Sequence, residues 1–341
     1  MSALVSLFIF FGILLGVHVL TRTPCTGLET DLRFTNTIKG LAMLMILYHH
    51  SGIYHSKLFW FFYGSGWGFC GVSLFFFISG FGLVKSQLKT DPSTWKFIKK
   101  RWLALGPTII LCMVARWMLD PLMTLKISFP VDPMVLVGAK EWFLLALFAW
   151  YLIFIFVVKR FPKTDILFIL MMVALILWAL LDIVSENSPM AGLWMRFPFS
   201  FVLGVAFGYH TTAVMDYLKH RLVLSLCLSL VAIVLACHLK NNTYLVYPML
   251  DLAILPMCLS LAILIYRLDI NSELIQFLGK LSLPIYLIQV PMIKYGIFMG
   301  QWQNNIIGLL VTWALIFLVS IAITQIRFLI DRLVKQVVIS E

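Results

Sequence analysis

Long apolar segments recur along nearly the whole chain, and short polar connections separate them. Eleven of these segments approach the length that a helix needs to cross about 30 Å of hydrocarbon. They lie at residues 2–21, 38–54, 67–84, 102–119, 141–158, 164–183, 197–213, 222–238, 247–266, 281–298 and 305–326. The pattern predicts an all-α fold, a polytopic transmembrane helix bundle of about 10–11 spans, with the lower number if the first segment does not cross.

The composition and the positions of the charges support a membrane protein and orient it. Hydrophobic residues make up 62% of the chain and charged residues 12%, against about 25% charged in soluble proteins. Most of the 26 lysines and arginines fall in alternate connections and in the C-terminal tail. Since positive loops stay in the cytoplasm, we expect a multi-pass protein of the cell membrane with its N-terminus outside and its C-terminus cytoplasmic.

Two classes of partner find no support in the sequence. The net charge of +11 comes from basic residues scattered over short connections. They form no stripe and no nucleic-acid motif, so we predict no nucleic-acid partner. The six cysteines show no CxxC and no Cys/His cluster, so we also predict no metal site.

The second predicted span contains ionisable side chains, with Lys39 near its start and His50 near its end. Eleven helical steps turn through about 1100°, so these two residues share one face about 16 Å apart. An ionisable residue within a membrane is a functional hypothesis by default, because its burial is costly. Lys39 would lie at the cytoplasmic mouth. His50 is either a functional group or a histidine satisfied by a neighbouring helix, and His49, about 100° away, is assigned the structural role.

Two further features flank the third span. We predict that residues 85–101 form a loop, and its six cations would attract either anionic lipid headgroups or a polyphosphorylated cofactor. Small residues near the end of the span, among them Gly71, Gly80 and Gly82, would let helices approach closely. Ser79 could donate a hydrogen bond within the bundle.

The order and spacing of several motifs resemble those of the acyltransferase family 3 membrane proteins, over about residues 33–325. The matching segments are Lys39-Gly40 with His50, GVSLFFFISGF at 71–81, FIKKR at 97–101 with Pro107, EWFL at 141–144, and GKLS at 279–282 followed by IYL at 285–287.

This resemblance implies an integral membrane O-acyltransferase, most simply an O-acetyltransferase. Its co-substrate would be cytoplasmic acetyl-CoA or another acyl-CoA. Its acceptor would be a hydroxyl of an exported or cell-surface polysaccharide or of a lipid-linked precursor. The family signature, an arginine followed after ten residues by a histidine, falls on Lys39 and His50. The family motif Tyr-Leu-x-His ends here with Gln289, and a family arginine is replaced by Ala104.

The resemblance and the charge pattern together give a hypothesis for the site. Lys39, Lys100 and Arg101 would bind the phosphates of acyl-CoA, and its arm would lie along the face from Lys39 to His50. With an ordinary pKa of about 6.5, His50 would accept the proton of the sugar hydroxyl or carry the acyl group itself. The side chains assigned to support or to the acceptor side are Ser79, Glu141, Tyr286 and Gln289. Glu141 either orients the imidazole or the acceptor, or is merely solvated at the interface.

We divide the chain into an extra N-terminal span and cytoplasmic connector at 1–37, an acyltransferase transmembrane domain at 38–326, and a cytoplasmic tail at 327–341. A different class of function stays open at this point. A proton-coupled transporter or flippase would also have many spans, a kink at Pro284 in the tenth span, and a histidine near the middle of the membrane. The sequence predicts no oligomeric state.

Overall fold

The computed structural model describes residues 30–54, 67–90, 93–124, 142–187, 198–218, 246–267, 272–295 and 306–340, together with residues 223, 227 and 231. Within these ranges the protein is all-helical. The ten helices are α1 (Thr30–Tyr54), α2 (Trp67–Thr90), α3 (Thr94–Thr124), α4 (Trp142–Arg160), α5 (Ile166–Asn187), α6 (Pro198–Leu218), α7 (Val246–Arg267), α8 (Glu273–Lys280), α9 (Ser282–Tyr295) and α10 (Ile306–Ser340).

Nine of the eleven predicted apolar segments coincide with one of these helices. The segment at 2–21 lies outside the described residues, as does nearly all of the segment at 222–238. Three stretches in the described ranges are long and apolar enough to cross a membrane: Gly68–Gln87, Trp142–Arg160 and Ile307–Leu333. The bent pair α8 and α9 makes up to a fourth. The predicted divisions at residues 38 and 327 fall inside α1 and α10, so the domain bounds stay predictions.

The predicted loop at 85–101 is wrong, because most of it is helical. α2 continues to Thr90, and α3 already begins at Thr94. Ser93 caps α3: its Oγ accepts a hydrogen bond from the Lys96 backbone N–H at 3.4 Å, which satisfies a donor that the first turn leaves open. The basic residues of this stretch are therefore carried by two helix ends rather than by a loop.

α2 is the central helix of the described bundle and packs most extensively against α6 and α1. Glycines permit this close packing. A methyl group at Gly80 would collide with the backbone carbonyl of Phe201 on α6, and one at Gly204 with the carbonyl of Phe77. Small residues that let backbones approach are the usual way in which membrane helices gain packing energy. The crossing of α2 and α6 thus depends on the absence of two side chains.

A sharp bend separates α8 from α9. The kink was predicted at Pro284, but the chain bends before that residue. The two helices meet at Leu281 at an angle of 72°. Pro284 lies in the first turn of α9 instead, where a missing N–H costs no helical hydrogen bond. Ser272 caps α8, and its Oγ accepts from the Ile275 backbone N–H at 3.3 Å.

α8 lies directly against the first turns of α1. A methyl group at Gly279 would collide with the backbone carbonyl of Asn36, and one at Gly40 with the carbonyl of Ile275. These two contacts lie on either side of Lys39 in α1. The short helix therefore closes one side of the space that the Lys39 side chain occupies.

Candidate active site

One cavity of about 710 Å³ opens among seven helices, α1 to α4 and α8 to α10. Its volume falls within the range of roughly 300–1,000 Å³ that is usual for small-molecule sites. On α1 it is lined by residues from Leu32 to Lys39, and on α2 by residues from Phe75 to Ser86. The cavity thus lies between the first half of α1 and the second half of α2.

Among the described residues, six cationic side chains line this cavity and no aspartate or glutamate does. They are Lys39, Lys85, Lys100, Arg101, Lys280 and Arg327. The charges of Lys39 and Arg101 lie close enough to repel each other. A concave, partly desolvated surface of one sign concentrates counter-ions of the other sign. The lining residues are therefore suited to a ligand that carries several negative charges.

Aromatic rings rather than carboxylates hold the Arg101 side chain in place. Its guanidinium carbon lies 5.3 Å from the ring centroid of Phe97 and 5.7 Å from that of Tyr151. The Nε atom is buried and has no hydrogen-bond partner in the described part of the chain. Cation–π contacts position a guanidinium without occupying its N–H donors. The Tyr151 hydroxyl in turn lies within hydrogen-bonding reach of Ser79.

Arg327 brings α10 to the same cavity. Its Nη1 donates a hydrogen bond of 2.7 Å to the Thr108 hydroxyl on α3, and its Nε lies 3.7 Å from a carboxylate oxygen of Asp331. The Thr108 contact joins α10 to α3 through two residues that are 219 positions apart along the chain. Part of the Arg327 charge is thus balanced within the protein, whereas the charges of Lys39 and Arg101 repel each other.

Three aromatic side chains in mutual contact lie in the lining of the cavity, and we call Phe75, Phe143 and Tyr286 the aromatic cluster. The ring centroids of Phe75 and Phe143 are 5.8 Å apart, and those of Phe143 and Tyr286 are 5.3 Å apart. All three residues line the cavity and all three are buried. The site therefore has a cationic part and an apolar, aromatic end.

His50 does not line the cavity but lies next to Gln289 on α9. Gln289 is the side chain within hydrogen-bonding reach of the imidazole. At strict hydrogen-bond geometry, Nδ1 of His50 and both polar atoms of the fully buried Gln289 amide lack partners in the described residues. Since an unpaired buried polar atom costs free energy, the two side chains are suited to pair with each other or with a ligand.

His49 points to a different neighbour. A methyl group at Gly68 of α2 would collide with the His49 ring, and the ring centroid lies 6.1 Å from that of Phe69. The His49 ring is therefore packed against α2. This contact agrees with a structural role for His49, which stays a prediction.

The structure brings five of the predicted site residues together around the cavity: Lys39, Ser79, Lys100, Arg101 and Tyr286. His50 and Gln289 are neighbours beyond its lining, and Glu141 lies outside the described residues. The prediction of the site omitted Lys85, Lys280 and Arg327. Lys85 belonged to the basic stretch and Lys280 to a quoted motif, so the sequence held a signal for both. Arg327 lay in the predicted tail, where nothing distinguished it.

Helices that are long and apolar enough to cross a membrane pack around a cationic cavity, and this combination indicates a membrane protein. The particular family follows from comparison of the sequence. The chain belongs to acyltransferase family 3, because the model of that family, described as an acyltransferase domain, matches residues 32–326, most of the chain. The protein is therefore a membrane acyltransferase, and the family predicted from the sequence is confirmed. No curated protein and no solved structure matches the chain.

Proposed function

We propose that the protein is an O-acyltransferase that moves an acyl group, most simply acetyl, from cytoplasmic acyl-CoA to a sugar hydroxyl. The acceptor belongs to an exported or cell-surface polysaccharide or to its lipid-linked precursor. The protein crosses the cell membrane about 10–11 times, with its N-terminus outside and its C-terminus in the cytoplasm. The proposal also places the cationic cavity at the cytoplasmic face.

One observation carries this proposal: in the part of the chain that the structure describes, the cavity is lined by six cations, an aromatic cluster and no carboxylate. Acyl-CoA has a matching division of chemistry: phosphates at one end and a thin, uncharged arm with a thioester at the other. Lys39, Lys100 and Arg101 bind the phosphates. Lysine at position 39 acts as a point charge rather than a bidentate fork. The arm then extends toward the aromatic cluster and His50.

His50 is the general base of the proposed transfer. It takes the proton from the acceptor hydroxyl while the oxygen attacks the thioester carbonyl. An ester C–O bond forms, the C–S bond breaks, and the leaving thiolate takes up the proton as free CoA. Gln289 holds the imidazole in position. A covalent acyl-histidine that passes the group to the same oxygen gives the same balance.

Transfer of label from acyl-CoA tests the proposal directly. Purified protein in lipid nanodiscs would receive acetyl-CoA labelled on the acetyl group, together with lipid-linked glycans extracted from the source cells. We expect label in an alkali-labile ester on the glycan and an equal amount of free CoA. Protein with Lys39, Lys100 and Arg101 all replaced by glutamine serves as the control. Release of CoA without any labelled glycan, or no reaction at all, would contradict the proposed function.

A further inference from the structure

We propose that the aromatic cluster of Phe75, Phe143 and Tyr286 selects the acyl group by its bulk, so that the enzyme uses acetyl and excludes branched donors. This inference rests on the proposed function, because it assigns a specificity to the same donor site. It concerns the three rings at the end of the cavity and adds no residue to the catalytic step.

The cluster lies at the end of the cavity that is nearer to His50. On α2, Phe75 is the lining residue nearest to Gly68, which packs against His49. On α9, Tyr286 is the lining residue nearest to Gln289, the neighbour of His50. The lining of the described cavity goes no further than these rings on either helix. By position along both helices, the cluster therefore lies between the cationic part of the cavity and the pair His50 and Gln289.

The helical spacing on α9 gives the distance from the aromatic cluster to the level of Gln289. Tyr286 and Gln289 are three residues apart, so they share a face and differ by about 4.5 Å along the helix. A thioester that reaches the Gln289 level thus lies about one turn beyond the ring of Tyr286. The acyl group leads, and the pantetheine arm follows it past the same rings.

The three rings leave little room for an acyl group with side branches. Phe75, Phe143 and Tyr286 are only 8%, 5% and 9% exposed, and their centroid spacings are those of rings in contact. Interiors packed at this density accommodate an added methyl only by displacement of their neighbours. One methylene in an apolar pocket typically changes specificity by about 10–200-fold. A branched acyl group adds two carbons at once and should be rejected strongly.

The inference is tested by the ratio of kcat/KM for isobutyryl-CoA to that for acetyl-CoA. We expect Phe143→Leu and Phe75→Leu, on two different helices, each to raise this ratio by about tenfold or more. Phe156→Leu is the matched control, since Phe156 lies on α4 as well but is 65% exposed and away from the cavity. It should leave the ratio unchanged.

The outcomes separate this inference from the proposed function. If the wild type transfers acetyl and both cavity variants keep the wild-type ratio, the proposed selection by the aromatic cluster is overturned, but the proposed function is not. Wild-type protein that uses isobutyryl-CoA as well as acetyl-CoA would also overturn the proposed selection, even if neither variant folds. A wild type that transfers no acyl group from any CoA donor would overturn the proposed function and the proposed selection together.

Discussion

Single side chains of one charge gather around the cavity although their mutual repulsion opposes folding. Lys39 and Arg101 repel each other, and no carboxylate of the described residues lines the cavity. Nearby Lys96 is exposed and lies outside the lining. Bound phosphates would reduce the repulsion between these cationic side chains. The charges of these individual residues therefore support the proposed binding of acyl-CoA in the cavity.

Replacement of Lys39 by glutamine tests this argument. Loss of one charge-assisted contact should raise the apparent KM for acyl-CoA by about 10–100-fold, the range that corresponds to roughly 1.5–3 kcal/mol. Turnover at saturating donor should change much less, because the phosphates lie far from the reacting carbonyl. Steady-state kinetics at constant ionic strength would measure both constants. Lys96→Gln is the control, and equal KM values in the two variants would contradict the phosphate contact.

His50 is proposed as the general base because its Nδ1 is unpaired within the described part of the chain. Its neighbour Gln289 also lacks hydrogen-bond partners among the described residues. His50→Ala should lower turnover by about 10²–10⁴-fold, the usual contribution of a general base, with donor affinity nearly unchanged. Single-turnover transfer of labelled acetyl would measure the chemical step. His49→Ala removes the adjacent ring, which packs on Gly68 instead, and should cost far less. Equal losses in the two variants would contradict the assignment.

At the scale of the helix, apolar length was sufficient to predict where nine of the ten described helices lie, but it predicted neither α8 nor how the helices end. Residues 85–101 were predicted as a loop because they are polar, yet both helices extend into them with Ser93 as a cap. The bend at Leu281 was missed as well. No proline or glycine stands at that position, and the angle is fixed by the packing of α8 against α1. Tertiary contacts of this kind leave no local signal.

The glycines of α2 give a stability prediction for the same scale. In Gly80→Ala the new methyl would meet the Phe201 carbonyl, so we expect a loss of about 1–3 kcal/mol in the free energy of unfolding. Gly82→Ala, one half-turn away, is the matched control because, among the described residues, no atom of another segment lies within 4 Å of the added methyl. Alanine is also the better helix former, so this variant should be at least as stable as the wild type. Thermal unfolding in detergent would compare them, and equal melting temperatures would contradict the close approach of α2 and α6.

For the whole molecule, the site depends on which helices meet, and the sequence alone does not determine that. Motifs and spacing led to Lys39, Lys100 and Arg101, which all reach one cavity. They did not lead to Arg327, which comes from the last helix and is fixed there by Thr108 of α3. Nor did they show that Phe75, Phe143 and Tyr286 come together from three helices. Residues that act through long-range packing are found only when the helices are assembled.

The proposed orientation of the bundle has a consequence for the direction of catalysis. If the C-terminus is cytoplasmic, the cationic part of the cavity faces the cytoplasm, where acyl-CoA is made. Acyl-CoA carries several charges and does not cross a bilayer, so it acts only from the side on which it is supplied. Inverted membrane vesicles should therefore transfer acetyl from added acetyl-CoA at once. Right-side-out vesicles of the same preparation should do so only after a detergent opens them.

Detergent-treated vesicles of both kinds provide the control, since they should show equal activity when both faces are accessible. The Lys39→Gln variant should keep the same sidedness at a higher KM, because it alters the affinity for the donor and not the orientation. Transfer by intact right-side-out vesicles at the rate of inverted ones would mean that the cationic part of the cavity faces outward. The charge asymmetry of the connections would then have been misread, and with it the positions assigned to both termini, while the cavity and its cations would keep their chemistry.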